Sequence, residues 1–352
     1  MRRWAPAMVL WAAAGAGACG GGAARDAAEV GAAGAGGPPE AASSDGSGPT
    51  DAVVNRATPE VGGDGPLDAA RTLDGSDAVV DAGALTAPDA ADGPAPMRCN
   101  GYEALCDRRF DEVVFPTAHN AMSNADDGWI APDQVHGIPR QLSDGIRAML
   151  IDSYDWLGST YLCHTSCLLG SKRLADSLGE MAAFLRQNPN EVLTLVFEDY
   201  ITAAETNTAF VESGLDALVY THAPGTPWPT LRAMIEGGHR VFVGAQTAGP
   251  PPAWYHHFYD LAWDTPYTFK TPSDFSCAQN RGKIQNDLFL LNHWLENPLP
   301  NEMSSATANT REVLLGRAQQ CQKESGKLPN FVAVNHYSIG DLFDVVRALN
   351  GL

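Results

Sequence analysis

Beyond residue 97 the chain breaks into short apolar runs, each closed by a polar or ionisable residue. Val113-Val114-Phe115 leads through Pro116-Thr117-Ala118 to His119-Asn120, and Ala148-Met149-Leu150-Ile151 stops at Asp152. Tyr161-Leu162-Cys163 stops at His164, and Leu193-Thr194-Leu195-Val196-Phe197 stops at Glu198-Asp199. Two later runs repeat the ending: Leu288 to Leu291 meets Asn292-His293-Trp294, and Phe331 to Val334 meets Asn335-His336-Tyr337. Short continuous apolar runs bounded by polar residues read as strands covered on both faces, as in a parallel sheet. Strands are predicted near 112–118, 147–152, 160–164, 192–198, 216–220, 239–245, 288–292 and 330–335. Helical stretches lie between several of them. Ser177 to Gln187 places Leu178, Met181, Ala182 and Leu185 on one face and stops at Asn188-Pro189. Thr230 to Glu236 is closed by Gly237-Gly238, and Thr307 to Cys321 carries Val313, Leu314 and Ala318. Strands alternating with helices over about 250 residues predict an α/β fold, a single TIM-type (β/α) barrel. In such a barrel the polar residue at each strand's C-terminal end faces the active mouth. A lone His or Asn there is ordinarily a satisfied cap; the same ending on six runs favours a shared site.

The N-terminal part is of another kind. Residues 1–19 read as an export signal: Arg2 and Arg3, a short apolar run from Ala7 to Ala14, then small residues before Cys19. Gly17-Ala18-Cys19 resembles a bacterial lipobox, with Ala16 where Leu is usual, so a lipoprotein anchored to the cell envelope at Cys19 is expected, with plain secretion as the alternative. Residues 20–97 are Ala, Gly, Asp, Pro and Ser with almost no aromatics, too little apolar surface to offset the entropy of ordering, and read as a disordered linker. The folded unit is then 98–352. A net charge of −19, with no basic run, excludes nucleic acid as the expected partner and argues against electrostatic capture by anionic membranes. The chain is expected to act as a monomer. Of seven cysteines, six remain if Cys19 carries lipid. An even number in an exported chain suggests disulfides. Proximity favours Cys99–Cys106 and Cys163–Cys167, leaving Cys277–Cys321, with other pairings open. Cys163-His164-x-x-Cys167 lacks a second half-site for zinc.

The motifs Thr117-Ala118-His119-Asn120-Ala121, Gln141-Leu142-x-x-Gly145-Ile146-Arg147 through Asp152, Leu162-Cys163-His164, and Phe184-Leu185-x-x-Asn188-Pro189-x-Glu191 through Tyr200, closed by Asn330 to Asn335, go further in combination. With them the chain resembles the phosphatidylinositol-specific phospholipase C X-domain family, of the PLC-like phosphodiesterase barrel superfamily. The resemblance runs from about residue 111 to the C-terminus. It implies that His119 and His164 are the catalytic pair, and that Asn120, Asp152 and Glu198 match the calcium ligands of the calcium-dependent members. One departure matters. Those members have Glu two residues before the second-strand Asp, and here that position is Leu150; the metal-free members have Arg two residues after it, and here that position is Tyr154. A weak Ca²⁺ site on Asn120, Asp152 and Glu198, with Asp155 or Asp199 in support, is expected, and a metal-free site is the alternative. Lys172 and Arg173 are candidate phosphate contacts, or a solvated loop pair. The expected activity is cleavage of a phospholipid headgroup by His–His acid–base catalysis through a cyclic phosphodiester, inositol being one candidate headgroup. The alternatives are a phosphodiesterase on another headgroup and a surface-anchored barrel that binds without turnover. Headgroup choice is expected to lie in the loops Asn124 to Arg140 and Ala248 to His257.

Overall fold

The computed structural model describes residues 96–352 apart from 297, 298 and 300. The export signal, Cys19 and the linker up to residue 95 lie outside the described residues. The strands are β1 (Phe115–Ala118), β2 (Ala148–Trp156), β3 (Ser159–Cys163), β4 (Ser171–Arg173), β5 (Leu193–Tyr200), β6 (Val219–Tyr220), β7 (Val241–Ala245), β8 (Tyr255–His257), β9 (Ala262–Asp264), β10 (Leu288–Asn292) and β11 (Phe331–Val334). The helices are α1 (Ile138–Asp144), α2 (Leu174–Gln187), α3 (Ala203–Ser213), α4 (Leu231–Glu236), α5 (Phe258–Leu261), α6 (Glu302–Ala308), α7 (Arg311–Ser325) and α8 (Leu342–Leu349). Parallel pairing runs β6–β7–β5–β2–β1–β11–β10–β9, and β8 pairs with the far half of β7. This is the α/β barrel read from the sequence. Among the described residues no strand pairing joins β8 to β9, so the curled sheet stays open at that seam.

Alternation along the strands sorts the apolar side chains into two cores. Met149, Ile151, Leu195, Phe197, Val243, Trp263, Leu291 and Val332 pack outward with helix residues such as Leu178, Met181, Leu185, Leu314 and Val345. Phe115, Ala148, Leu150, Val196, Phe242, Ala262, Leu290, Phe331 and Ala333 form the second core, inside the barrel. Phe110 plugs its N-terminal end, with ring centroids 5.0 Å from both Phe115 and Trp228 and 5.5 Å from Phe242. Fully burying a side chain of this size contributes roughly 1.5–3 kcal/mol.

The structure corrects one strand. The run ending at His164 is not a parallel barrel strand. β2 continues past Asp152, and β3 folds back antiparallel to it, with Ser153 opposite Leu162 and Trp156 opposite Ser159. Leu157 and Gly158 both have positive φ, 53° and 76°, the two-residue turn that matches the twist of a hairpin. The hairpin returns the chain to the level of Asp152, so His164 still arrives at the mouth. Smaller differences have local causes. Residues 216–218 are a 3₁₀ turn and only Val219–Tyr220 pair. The helix expected over 307–321 is broken at Asn309 and Thr310: the Asn309 Nδ2 donates to the Asn335 carbonyl (2.9 Å), and Thr310 starts α7. The three-residue strands β8 and β9 are too short to show a period.

The disulfides are Cys99–Cys106, Cys163–Cys167 and Cys277–Cys321, the pairing that proximity favoured. The first braces the chain before Phe110. The second closes the loop that carries His164. The third ties the long β9–β10 loop to α7.

Candidate active site

The inward alternation does not stop where the strands do. Positions 115, 117 and 119 of the β1 run, 148, 150 and 152 of β2, and 194, 196 and 198 of β5 lie on one face. So do 242, 244 and 246 after β7, 262 and 264 of β9, 288, 290 and 292 of β10, and 331, 333 and 335 after β11. Apolar or small residues fill the lower levels. The top level is polar throughout: His119, Asp152, Glu198, Gln246, Asp264, Asn292 and Asn335. Two joined cavities of about 260 and 390 Å³ open there, sharing His119, Asn120, Asp152, Glu198, Tyr267 and Trp294. The second also reaches Tyr154, His164 and Tyr200. All five site residues expected from the sequence therefore line one mouth.

Asp133 organises the two histidines, and the sequence reading did not find it. It comes from the loop after β1 and is 1% exposed. Its Oδ2 lies 2.9 Å from Nδ1 of His164 and accepts from Nδ2 of Asn120 (3.1 Å). Its Oδ1 accepts from Nδ2 of Asn335 (3.1 Å). That bond fixes the Asn335 amide, so its Oδ1 accepts from Nδ1 of His119 (2.6 Å). His119 is thereby held as the Nδ1–H tautomer, and Nε2 keeps its lone pair. The ring stacks on Trp294 at 3.7 Å and 8°. Gln134, buried beside Asp133, donates to the carbonyls of His119 (2.6 Å) and Val334 (3.1 Å). The loop expected to choose the headgroup thus builds the floor of the site. Asn120 and Thr165, the residues directly after the two histidines, have φ of 46° and 61°. For a β-branched Thr this conformation is strained, and such strain persists where surrounding bonds hold it.

These surroundings push the two imidazoles apart. Burial lowers His119 to about 4, against the opposing pull of Asp133 and the Asn335 bond. Burial also disfavours charge on His164, but the hydrogen bond and charge of Asp133, helped by Asp152 and Glu198, outweigh it and raise its pKa above the usual value. The first ring is thus neutral at neutral pH, and the second holds its proton more firmly than a free imidazole; Nε2 of His164 lies 3.1 Å from Nδ2 of Asn120.

Asp152 and Glu198 are register partners on β2 and β5. Burial, then the neighbouring Glu198 charge, raises Asp152 well above the usual carboxylate range. Tyr200 donates to Glu198 and stacks on Tyr154 at 4.5 Å. Two carboxylates and the Asn120 oxygen suit a hard cation in kind. In number they fall short: among the described residues no group of three or more His, Cys, Asp or Glu is arranged to hold a metal ion. The expected supporters are elsewhere. Asp155 is exposed, and Asp199 accepts from the backbone of Thr247 (2.8 Å) and Ala248 (2.7 Å).

Other candidates also sort clearly. Lys172 donates to Glu180 (2.7 and 2.8 Å) and Arg173 to Glu212 (3.3 Å), and neither lines the mouth. His293 lies 2.9 Å from the Ala308 carbonyl and His336 3.0 Å from Ser305 Oγ, both turned into α6. The far wall holds a group the sequence reading missed. Asp264 at the end of β9 accepts from Arg281 Nε (2.9 Å), Asn292 Nδ2 (3.1 Å) and Tyr259 OH (3.1 Å).

Comparison with known proteins agrees with this geometry. The PI-PLC X domain model (PI-PLC X 1) matches residues 105–350. A PI-PLC X domain-containing protein of Arabidopsis thaliana is 26% identical over 69% of this chain, which spans 62% of that relative. PI-PLC X domain-containing protein 1 of Arthroderma benhamiae is 28% identical over 72% of this chain and 90% of its own length. A protein of the same fungus described as an uncharacterized secreted protein is 28% identical over 77% of this chain and 68% of its own. Among solved structures, a phosphatidylinositol-specific phospholipase C of Staphylococcus aureus superposes with a TM-score of 0.50 at 12% identity, covering 70% of this chain and 95% of that one. That match shows the fold. With the family model spanning most of the chain, this protein belongs to the PI-PLC X domain family.

Proposed function

We propose that this chain is a phospholipase C-type phosphodiesterase. The observation that supports it most is the single buried carboxylate of Asp133, which bonds His164 directly and His119 through Asn335, while their environments drive the two pKa values apart. Paired groups tuned in opposite directions divide the base and acid roles. His119, neutral with Nε2 free, takes the proton from the attacking hydroxyl, the inositol 2-OH if the headgroup is inositol. His164, in its protonated form, gives a proton to the diacylglycerol oxygen as it leaves. The phosphorus–oxygen bond to the headgroup hydroxyl forms as the bond to diacylglycerol breaks, leaving a cyclic phosphodiester. Exposed Leu157 and Leu168 stand on the loops at either end of β3, and the stacked Tyr154 and Tyr200 line the mouth, which suits a substrate presented at a lipid surface. Release of headgroup from a panel of phospholipids and glycerophosphodiesters, with products resolved by phosphorus NMR, tests the proposal. No cleavage of any member by folded protein would overturn it.

Calcium is a separate part of the proposal. A bound Ca²⁺ would be held by Asn120, Asp152 and Glu198 and would supply positive charge to the phosphate oxygens. With only two carboxylates the affinity should be low. Leu150 lines the same cavity, two residues before Asp152 on the same strand face. Leu150→Glu should therefore tighten Ca²⁺ by about tenfold or more, read as a calcium-dependent rise in melting temperature. No calcium-dependent shift in either protein would remove the metal from this account. Anchoring through a lipidated Cys19 is likewise proposed. Detergent partitioning that is unchanged in Cys19→Ser would sink it.

A further inference from the structure

Arg281 is the sole Lys or Arg among the described residues lining the two joined cavities. It shares the inner one with His119, Asn120, Asp152 and Glu198. Neither the strand-end pattern nor the motifs of the resemblance point to it, because it sits in the β9–β10 loop. That loop is firmly built. Cys277–Cys321 fixes it to α7. Gly282 has φ 72°, and a Cβ there would stand 2.0 Å from the Ala262 carbonyl, so only glycine lets the chain cross so close to β9. The Arg281 backbone N–H donates to Asp264 Oδ1 (2.8 Å).

The guanidinium plane is fixed as well. Nε and Nη2 donate to Asp264 Oδ2 (2.9 and 2.5 Å), and Nη1 donates to Gln246 (2.7 Å). The rings of Tyr259 and Tyr267 lie 4.7 and 5.0 Å from its central carbon. Asp264 pairs with the Nε and Nη2 edge of the guanidinium. It is fully buried behind Arg281, whereas the Arg281 side chain is 31% exposed. The same carboxylate also accepts from Asn292 and Tyr259. A guanidinium has five N–H groups, and the three bonds above leave two, one on each Nη. A rigid fork with free N–H groups matches two oxygens of a phosphate.

We infer that Arg281 holds the non-bridging oxygens of the scissile phosphodiester. This rests on the phosphodiesterase reading and names the residue that meets the anion in that site. Charge on those oxygens must be matched as phosphoryl transfer proceeds, and preorganised donors do so without reorganising. Lys172 and Arg173, bonded to acidic residues outside the mouth, leave that task open.

The test compares Arg281→Lys, which keeps charge and loses the fork, with Arg281→Met, which loses both. For Arg281→Met, kcat/KM should fall at least about a hundredfold, as on losing one preorganised donor, and for Arg281→Lys at least about tenfold. Inhibition by inorganic phosphate should weaken about tenfold or more in Arg281→Met. Added guanidinium ion should restore part of the rate of Arg281→Ala and none to His164→Ala. Removing Arg281 leaves Asp264 buried without its main partner, which can unfold the loop. The double variant Arg281→Met with Asp264→Asn removes that charge too; it should fold and remain defective. A folded single or double variant within about twofold of wild type in both rate and phosphate inhibition would overturn the inference. Phosphate titration followed by NMR separates the two claims. If the wild type cleaves no diester but loses phosphate binding on Arg281→Met, the anion site stands and the phosphodiesterase reading falls. If it cleaves diesters and Arg281→Met binds phosphate as before, the reverse holds.

Discussion

Replacing His164 with Ala is expected to lower headgroup release by at least about a hundredfold, the low end for a positioned general acid or base. The loss is specific to the leaving group. A substrate that departs without a proton, such as a nitrophenyl phosphodiester of the same headgroup, recovers most of its rate in His164→Ala and stays slow in His119→Ala. The asymmetry follows from the site. Burial keeps His119 neutral, the Asn335 bond fixes its tautomer with Nε2 free, and Asp133 holds His164 toward the charged form. Rescue at His119→Ala instead would reverse the roles. In the proposed mechanism the pair acts on one step, so the double variant should lose less than the product of the single losses. Stability changes little, since both rings sit at the mouth above the barrel core; a melting curve checks this.

Asp133→Asn keeps the shape of the hub and removes its charge. The expected loss at neutral pH is about 10²–10⁴-fold, between that of a positioned acid and that of a carboxylate orienting a catalytic His. The sign of the pH effect is fixed by the shifts. His164 is raised by Asp133 against burial, so without the charge burial dominates and its pKa falls. A general acid must be protonated, so the alkaline limb of kcat/KM moves to lower pH. His119, already lowered to about 4 by burial, loses one opposing pull, so the acid limb moves lower too. A profile whose limbs do not move would separate Asp133 from the chemistry. The carboxylate itself is kept ionised, because the His164 hydrogen bond and the charges beside it outweigh burial.

Much of the mouth was legible because one strand rule extends past the strand ends. Alternation of period two, begun at Phe115, Ala148, Leu288 and Phe331, carries straight on to His119, Asp152, Asn292 and Asn335. The same rule places Gln246 and Asp264, but β9 is three residues long and offered no period from which to count. The disulfides were legible for a related reason: in two of them the partners are seven and four residues apart, so the chain itself brings them together.

By itself, then, the sequence determined the barrel, its covered strands and the polar ring at their C-terminal ends, since backbone alternation and burial are local properties of each run. Tertiary structure decided what local pattern does not encode. His164 reaches the ring by an antiparallel hairpin, because Leu157 and Gly158 turn the chain back. Asp133 joins both histidines from a loop with no periodicity, and its partner Asn335 lies 202 residues away in the chain. Arg281, rather than Lys172 or Arg173, enters the mouth, because Asp264 and Gln246 hold it there while Glu180 and Glu212 bond the other two outside it. A charge is placed by its partner across space, and a strand residue by its neighbours along the chain.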